Sequence, residues 1–339
     1  MRFVCRLISS LALAATFTAS NGYDPAQAET RLRITIPVKA FIYYPVLAAS
    51  DLGYFKDEGI DMNVVTVGGD GPDVDALIAG SVQFSATTPN RLLSAYAGGK
   101  ALLGVMSLSN RIGINCFMNK EKADQLGITE KTPIEEKLGK LKGLVIGGTR
   151  PGAFTNLLAE NYLKRAGLTP QKDAKVIGVG AGAAMMAATE NKQIDVGCIA
   201  SPTPELAASR GKSIMFVNNT QGEDPNYKEF LFAMLYIRPD YAKTNEEDVR
   251  KVVRALQRAL VYIKSTPFEK QLPELQRQFG ELDPAILRAA LENTQAAIEP
   301  SGAISHPAFD AAVKFMLAAG VIEKSVPYDA VISDAYLPK

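Results

Sequence analysis

Short apolar runs alternate along the chain with stretches whose apolar residues recur every three or four positions, and glycine or proline marks nearly every changeover. Residues 32–37 alternate apolar and polar positions and read as a strand. Residues 39–44 form a loop, and Pro45 suits the first turn of a helix through Ser50. Residues 53–60 make a turn and a short helix closed by Gly59. A β-branched strand at 63–67 leads through loop 68–72 into a helix at 73–79, which Gly80 ends. Strand 82–86, loop 87–91, helix 92–97 and strand 102–107 complete a first unit. A second unit opens with strand 144–147, loop 148–152 and helix 153–166. Strand 175–179, loop 180–182, helix 183–190 and strand 194–200 follow.

Residues 64–89 and 176–202 share one order: strand, glycine-rich loop, helix, strand, small polar residues, proline. Such repetition predicts two similar α/β lobes. In sheets of this kind ligands sit beyond the carboxyl ends of strands, where loops open helices. If the lobes face each other, these loops line a shared cleft. Residues 112–118 would lead from the first lobe to the second, and residues 230–237 would return. The predicted boundaries are residues 29–115 with 232–339 for one lobe and 116–231 for the other. Thr244-Asn245-Glu246-Glu247 reads as a capping box. It precedes a helix with Val249, Val252, Val253, Leu256, Leu260 and Ile263 on one face and Arg250, Lys251, Arg254 and Arg258 on the other. Residues 284–296 and 306–319 read as further helices.

The N-terminus adds an export signal. Arg2 and Arg6 precede an apolar stretch at 7–19, and Ala26-Gln27-Ala28 supplies the small-x-small cleavage pattern. The stretch is shorter than the roughly 20 residues a membrane span needs. Cys5 lies before the apolar core, so it is not placed for lipid attachment. The expected mature chain begins at Glu29. Cleavage removes two of 37 basic and one of 36 acidic residues, leaving 35 of each. With no basic stripe, nucleic acid is not an expected partner.

Chemistry is limited by what is scarce. His306 is the only histidine, in a Ser-His-Pro turn. A Ser-His-Asp or Cys-His system would have to use it, and a histidine-rich metal site is excluded. GxSxG, Walker A and HExxH patterns are absent, and the run Gly178–Gly182 lacks GxGxxG spacing. Cys116 and Cys198 stand 82 positions apart without a CxxC. Two buried small residues are the favoured reading, and a disulfide in an oxidising compartment is the alternative.

Residues 45–60, PVLAASDLGYFKDEGI, resemble the opening signature of solute-binding proteins of the sulfonate, taurine, nitrate and thiamine-precursor type. Residues 75–84 resemble that family's L-x-x-G-x-(V/I)-D-(F/A) stretch, with Gln83 where an acidic residue is common. Residues 141–148 are similar to its second-lobe opening, and 191–196 repeat the G-x-(V/I)-D idea with Gln193 in place of glycine. The resemblance spans about residues 32 to 320. It implies an α/β periplasmic-binding-protein fold of the second type, with mixed sheets flanked by helices and a hinge of two crossing strands. It implies a periplasmic, monomeric protein with no cofactor or metal. Its partners would be a small-molecule ligand and the permease and ATPase subunits of an ABC importer, with the membrane reached only through the permease. The related pyrimidine synthases carry a cysteine-rich motif and an active-site histidine without counterparts here, so no enzymatic activity is expected.

On this footing the ligand residues expected from the first lobe are Lys39, Phe41, Tyr43 and Tyr44, then Gly69 and Asp70, then Thr88, Asn90 and Arg91. From the second come Thr149, Arg150, Gly152, Ala153 and Phe154, then Gly180, Ala181 and Gly182, then Ser201. The argument is strongest at 148–154, where the free N–H groups of a helix start and the Arg150 guanidinium would hold an anion. Arg150 and Arg91 point to a sulfonate or an aromatic or aliphatic carboxylate. Asp70 would instead accept from an amine, as in taurine or an aminopyrimidine. The aromatic residues would stack on a planar ligand.

Overall fold

The computed structural model describes residues 29–69, 71–280 and 282–338. The export signal expected at residues 1–28 and Asp70 lie outside them. The chain begins with β1 (Thr30–Ile36), α1 (Tyr44–Asp51), α2 (Tyr54–Asp57), β2 (Ile60–Thr66), α3 (Pro72–Ile78), β3 (Phe84–Thr87), α4 (Pro89–Ala97) and β4 (Leu103–Ser109). It crosses into β5 (Ile114–Asn119), α5 (Lys120–Leu126), α6 (Ile134–Gly139), β6 (Val145–Gly148), α7 (Phe154–Arg165), β7 (Lys175–Gly178), α8 (Ala183–Glu190), β8 (Val196–Ala200), α9 (Thr203–Ser209) and β9 (Ser213–Val217). It returns in β10 (Ala233–Ile237) and ends in helices α10 (Pro239–Thr244), α11 (Glu246–Ser265), α12 (Phe268–Phe279), α13 (Pro284–Ala297), α14 (His306–Ala319) and α15 (Tyr328–Val331).

Two five-stranded mixed sheets result, in the orders β2-β1-β3-β10-β4 and β7-β6-β8-β5-β9. β1 runs parallel to β2 and β3, while β10 is antiparallel to β3 and β4. β6 runs parallel to β7 and β8, while β5 is antiparallel to β8 and β9. The two sheets therefore share one plan. The antiparallel strand of each is the segment by which the chain has just crossed over. The repeat predicted from loops and helices is β2-α3-β3 in one lobe and β7-α8-β8 in the other.

Apolar residues of both sheets join one continuous core, which also takes in the predicted face of α11: Val249, Val252, Val253, Leu256, Leu260 and Ile263. The three arginines of that helix are held in ion pairs. Arg250 pairs with Glu246 at 2.6 Å, Arg254 with Glu58 at 2.8 Å and Arg258 with Asp57 at 2.7 Å. The predicted capping box does not form. Thr244 falls in the last turn of α10, where its hydroxyl donates to the carbonyls of Asp240 and Tyr241 instead. Asn245 takes the N-cap position of α11 without a side-chain capping bond; its amide donates backward to the Tyr241 carbonyl and the Thr244 hydroxyl instead. By contrast Ser305 caps α14, its Oγ accepting the N–H of Ala308 at 3.2 Å. Ser305→Ala is expected to lower the unfolding free energy by about 1 kcal/mol, read as an earlier urea midpoint.

A second expectation is corrected. Cys116 and Cys198 form a disulfide rather than standing as separate buried residues. They sit directly opposite each other on β5 and β8, so both side chains leave the sheet on the same face. Among the described residues no helix is long and apolar enough to cross a membrane.

Candidate functional site

Six loops that follow strand carboxyl ends meet between the sheets. Three come from each lobe: those after β1, β2 and β3, and those after β6, β7 and β8. They enclose a cavity of about 420 Å³, within the range of small-molecule sites. Phe154 and Phe232 belong to its wall, edge to face with centroids 4.8 Å apart. Phe315 on α14 stacks behind Phe154 at 5.0 Å.

The loop after β6 is held to a single shape. Thr149 donates its N–H to Thr155 Oγ1 at 2.9 Å, and the two hydroxyls share a further bond at 2.9 Å. Ala153 N–H closes onto the carbonyl of Arg150 at 3.1 Å, and Gly180 N–H onto that of Thr149 at 3.0 Å. Gly178 on β7 makes the close approach possible, since a Cβ there would lie 3.0 Å from Arg150 Cα. α7 then starts at the cavity without any side-chain cap, which leaves its first N–H groups for a ligand.

Arg150 is the centre of the electrostatics. Its guanidinium crosses to the other lobe and lies against Gly69, where a Cβ would be 2.9 Å from Nη2. Nη2 is buried, yet no acceptor among the described residues bonds to it. A charged donor withdrawn from water without an acceptor is costly. Gly69→Ala would add a methyl into this contact. The expected loss is about 1 kcal/mol, roughly fivefold in ligand affinity, measured by calorimetry. Reduced stability with unchanged affinity would confine the role of Gly69 to its turn.

Of the residues named from sequence, Lys39, Tyr43, Gly69, Thr88, Thr149, Arg150, Ala153, Phe154, Gly180, Ala181, Gly182 and Ser201 line the cavity. Lys39 is exposed at its edge. Thr88 donates its hydroxyl to Asn90, so Asn90 stands behind the wall. Phe41 and Tyr44 do not line it. A 3-10 turn at Phe41–Tyr43 followed directly by α1 swings both rings into the core against Phe279 of α12, at 4.2 and 6.0 Å. Arg91 lies outside the lining, beside Gly71, and Gly152 is exposed in its turn with φ +74°. Asp70 falls outside the described residues.

Sequence reasoning missed several wall residues. Ile42 follows Phe41, while Thr155 and Thr203 begin helices. Ile114 and Phe232 lie on the two crossing segments, and Ile199 on β8. The crossing segments were the available signal, because a hinge between facing lobes floors their cleft.

The sequence profile of the family described as NMT1/THI5 like matches residues 41–270. YtlA of Bacillus subtilis (strain 168), provisionally named a binding protein, is 19% identical over 319 residues, covering 90% of this chain and 88% of its own. A 4-amino-5-hydroxymethyl-2-methylpyrimidine phosphate synthase of Candida albicans (strain WO-1) is 25% identical over 244 residues, 67% of this chain and 65% of its own. Among solved structures, the periplasmic aliphatic sulphonate binding protein SsuA of Escherichia coli superposes with a TM-score of 0.69 at 19% identity, covering 89% of this chain and 92% of that one. The two-lobed periplasmic-binding-protein fold expected from the resemblance is the fold observed. With more than half of its length matched by the profile, the chain belongs to the NMT1/THI5 like family.

Proposed function

We propose that this protein is the solute-binding component of an ABC importer and captures a small organic anion between its lobes. Buried Arg150 Nη2, with no acceptor among the described residues, carries this reading. A ligand carboxylate or sulfonate would satisfy it together with the first N–H groups of α7. The remaining wall is largely apolar and suits the ligand's body. The lobes would be residues 29–115 with 232–339 and residues 116–231. Export through residues 1–28 would deliver the chain to the periplasm, where as a monomer it would meet permease and ATPase subunits.

Two other readings have some support. Similarity to the pyrimidine synthase suggests a planar heterocycle or an enzymatic activity. A neutral heterocycle would leave Arg150 without its acceptor. An enzyme of the synthase type would need a histidine near the ligand. His306 instead stacks on Tyr328 at 3.9 Å and does not line the cavity. The decisive measurement is native mass spectrometry of ligand co-purified from the periplasm, followed by thermal-shift titration. An anion should be found, and at a hundredfold excess over Kd it should add about 2.7 kcal/mol of apparent stability. Recovery of an uncharged ligand alone, or turnover of the bound molecule, would overturn the proposal.

A further inference from the structure

Behind the cavity wall lies a carboxyl group that the capture of an anion does not use. Glu205, in the first turn of α9, is 7% exposed. Its Oε1 accepts two hydrogen bonds, from Ser201 Oγ at 2.6 Å and from Asn293 Nδ2 at 2.6 Å. Its Oε2 is buried and has no partner among the described residues. That asymmetry fits a neutral carboxyl better than a carboxylate. The neutral form places its proton on Oε2 and accepts at Oε1, whereas the ionised form buries a charged oxygen bare.

The two partners of Glu205 belong to different parts of the machine. Ser201 lines the cavity, and its carbonyl accepts the N–H of Phe41 from the other lobe at 3.2 Å. Asn293 lies on α13, a helix of the lobe opposite α9, and its Oδ1 also accepts from Gln221 at 2.9 Å and Asn218 at 3.3 Å. Glu205 thus bridges the lobes one residue behind the ligand. Drawing α13 away from α9 would remove Asn293 and admit water to the carboxyl.

We propose that closure of the lobes takes up a proton at Glu205, so that ligand capture strengthens as the medium becomes more acidic. The surroundings favour the proton. The groove between α13 and α9 is lined by Glu130, Glu223 and Glu292 as well as Glu205, and by no basic residue among those described. Glu223 is paired with Lys137 at 2.6 Å, and Glu130 accepts the N–H of Met215. The other charged side chains on elements packed against α9 are committed elsewhere. Arg288 on α13 pairs with Glu269, and Glu190 on α8 pairs with Arg210 and Lys212. Burial raises the pKa of Glu205 above the usual carboxylate range, against the lowering influence of Ser201, its own backbone N–H, Asn293 and the nearby Asn115 amide.

The sign follows from linkage. With α13 packed against α9 the pKa is raised; opening that joint would hydrate the carboxyl and return it toward the ordinary carboxylate range, so closure would bind a proton between the two values. The gain in affinity is complete below the open-form pKa, falls by up to about tenfold per pH unit between the two, and is gone above the closed-form pKa.

This inference rests on the cleft being a capture site, and the test separates the two. Small-angle scattering of the free protein from pH 4 to 8 reads closure without any ligand. Calorimetry with an alkanesulfonate, whose charge is constant over that range, reads affinity and proton uptake. The wild type should become more compact as pH falls and should take up protons on binding. Glu205→Gln keeps the carbonyl acceptor and should abolish both effects, while Asn293→Asp adds a carboxylate across the joint and should move the profile to higher pH. Identical profiles in the wild type and both variants would overturn the proton link even if the sulfonate binds. A pH-dependent closure with no binding of any anion would retain the link and overturn the anion reading alone.

Discussion

Arg150→Ala is expected to weaken binding of an organic anion by about 2–5 kcal/mol, the usual cost of removing one partner of a buried charge pair. At the upper end the protein would no longer retain ligand through purification. The size of the effect follows from position. Nη2 is already out of water and is wedged against Gly69, so the desolvation cost is met before the ligand arrives. Arg150→Lys should recover only part of the loss, because a single ammonium cannot reproduce the planar fork. Calorimetry of both variants against a homologous series of anions gives the result. Unchanged affinity for Arg150→Ala would remove this residue from the site and with it the main argument for an anionic ligand.

The second large effect concerns stability. The pair Cys116→Ala with Cys198→Ala should lower the unfolding free energy by about 4–5 kcal/mol, the chain-entropy value for opening a loop of this length. The bond ties strands separated by 82 positions, and both cysteines are almost wholly buried. Reductant should therefore act only as fast as the lobe unfolds. Urea unfolding with and without dithiothreitol checks both points. A loss under about 1 kcal/mol would mean that the β5–β8 pairing needs no covalent help.

Five of the six cleft loops were legible because each is announced twice, by glycine or a small polar residue and by the change from strand to helix periodicity. Residues 69, 88, 149–150, 153–154, 180–182 and 201 were found this way. What failed was direction within a loop. Phe41 and Tyr44 stand beside the site in sequence, and only the 3-10 turn and the presence of α12, some 230 residues later, turn them inward. α12 itself gave no clear reading, and Pro273 inside it breaks the expected pattern. The stretch 120–139 and the segment holding α9 and β9 were also unread. Their helices are only six or seven residues long, too short to establish a period. The disulfide depended on register, which spacing of two cysteines cannot supply. Glu205 was invisible for a related reason, because its significance comes from α13 meeting α9 across the joint.

The interleaving of the two sheets orders events during biogenesis. All five strands of the second sheet lie between Ile114 and Val217, so that sheet has its whole backbone once this segment has emerged. The first sheet must wait for β10, which fills the gap between β3 and β4. Until residue 233 arrives, β3 and β4 present unpaired edges although both were made early. A chain emerging from its amino end thus finishes its middle before its beginning. The β3 and β4 edges are where a chaperone would find this protein during that interval.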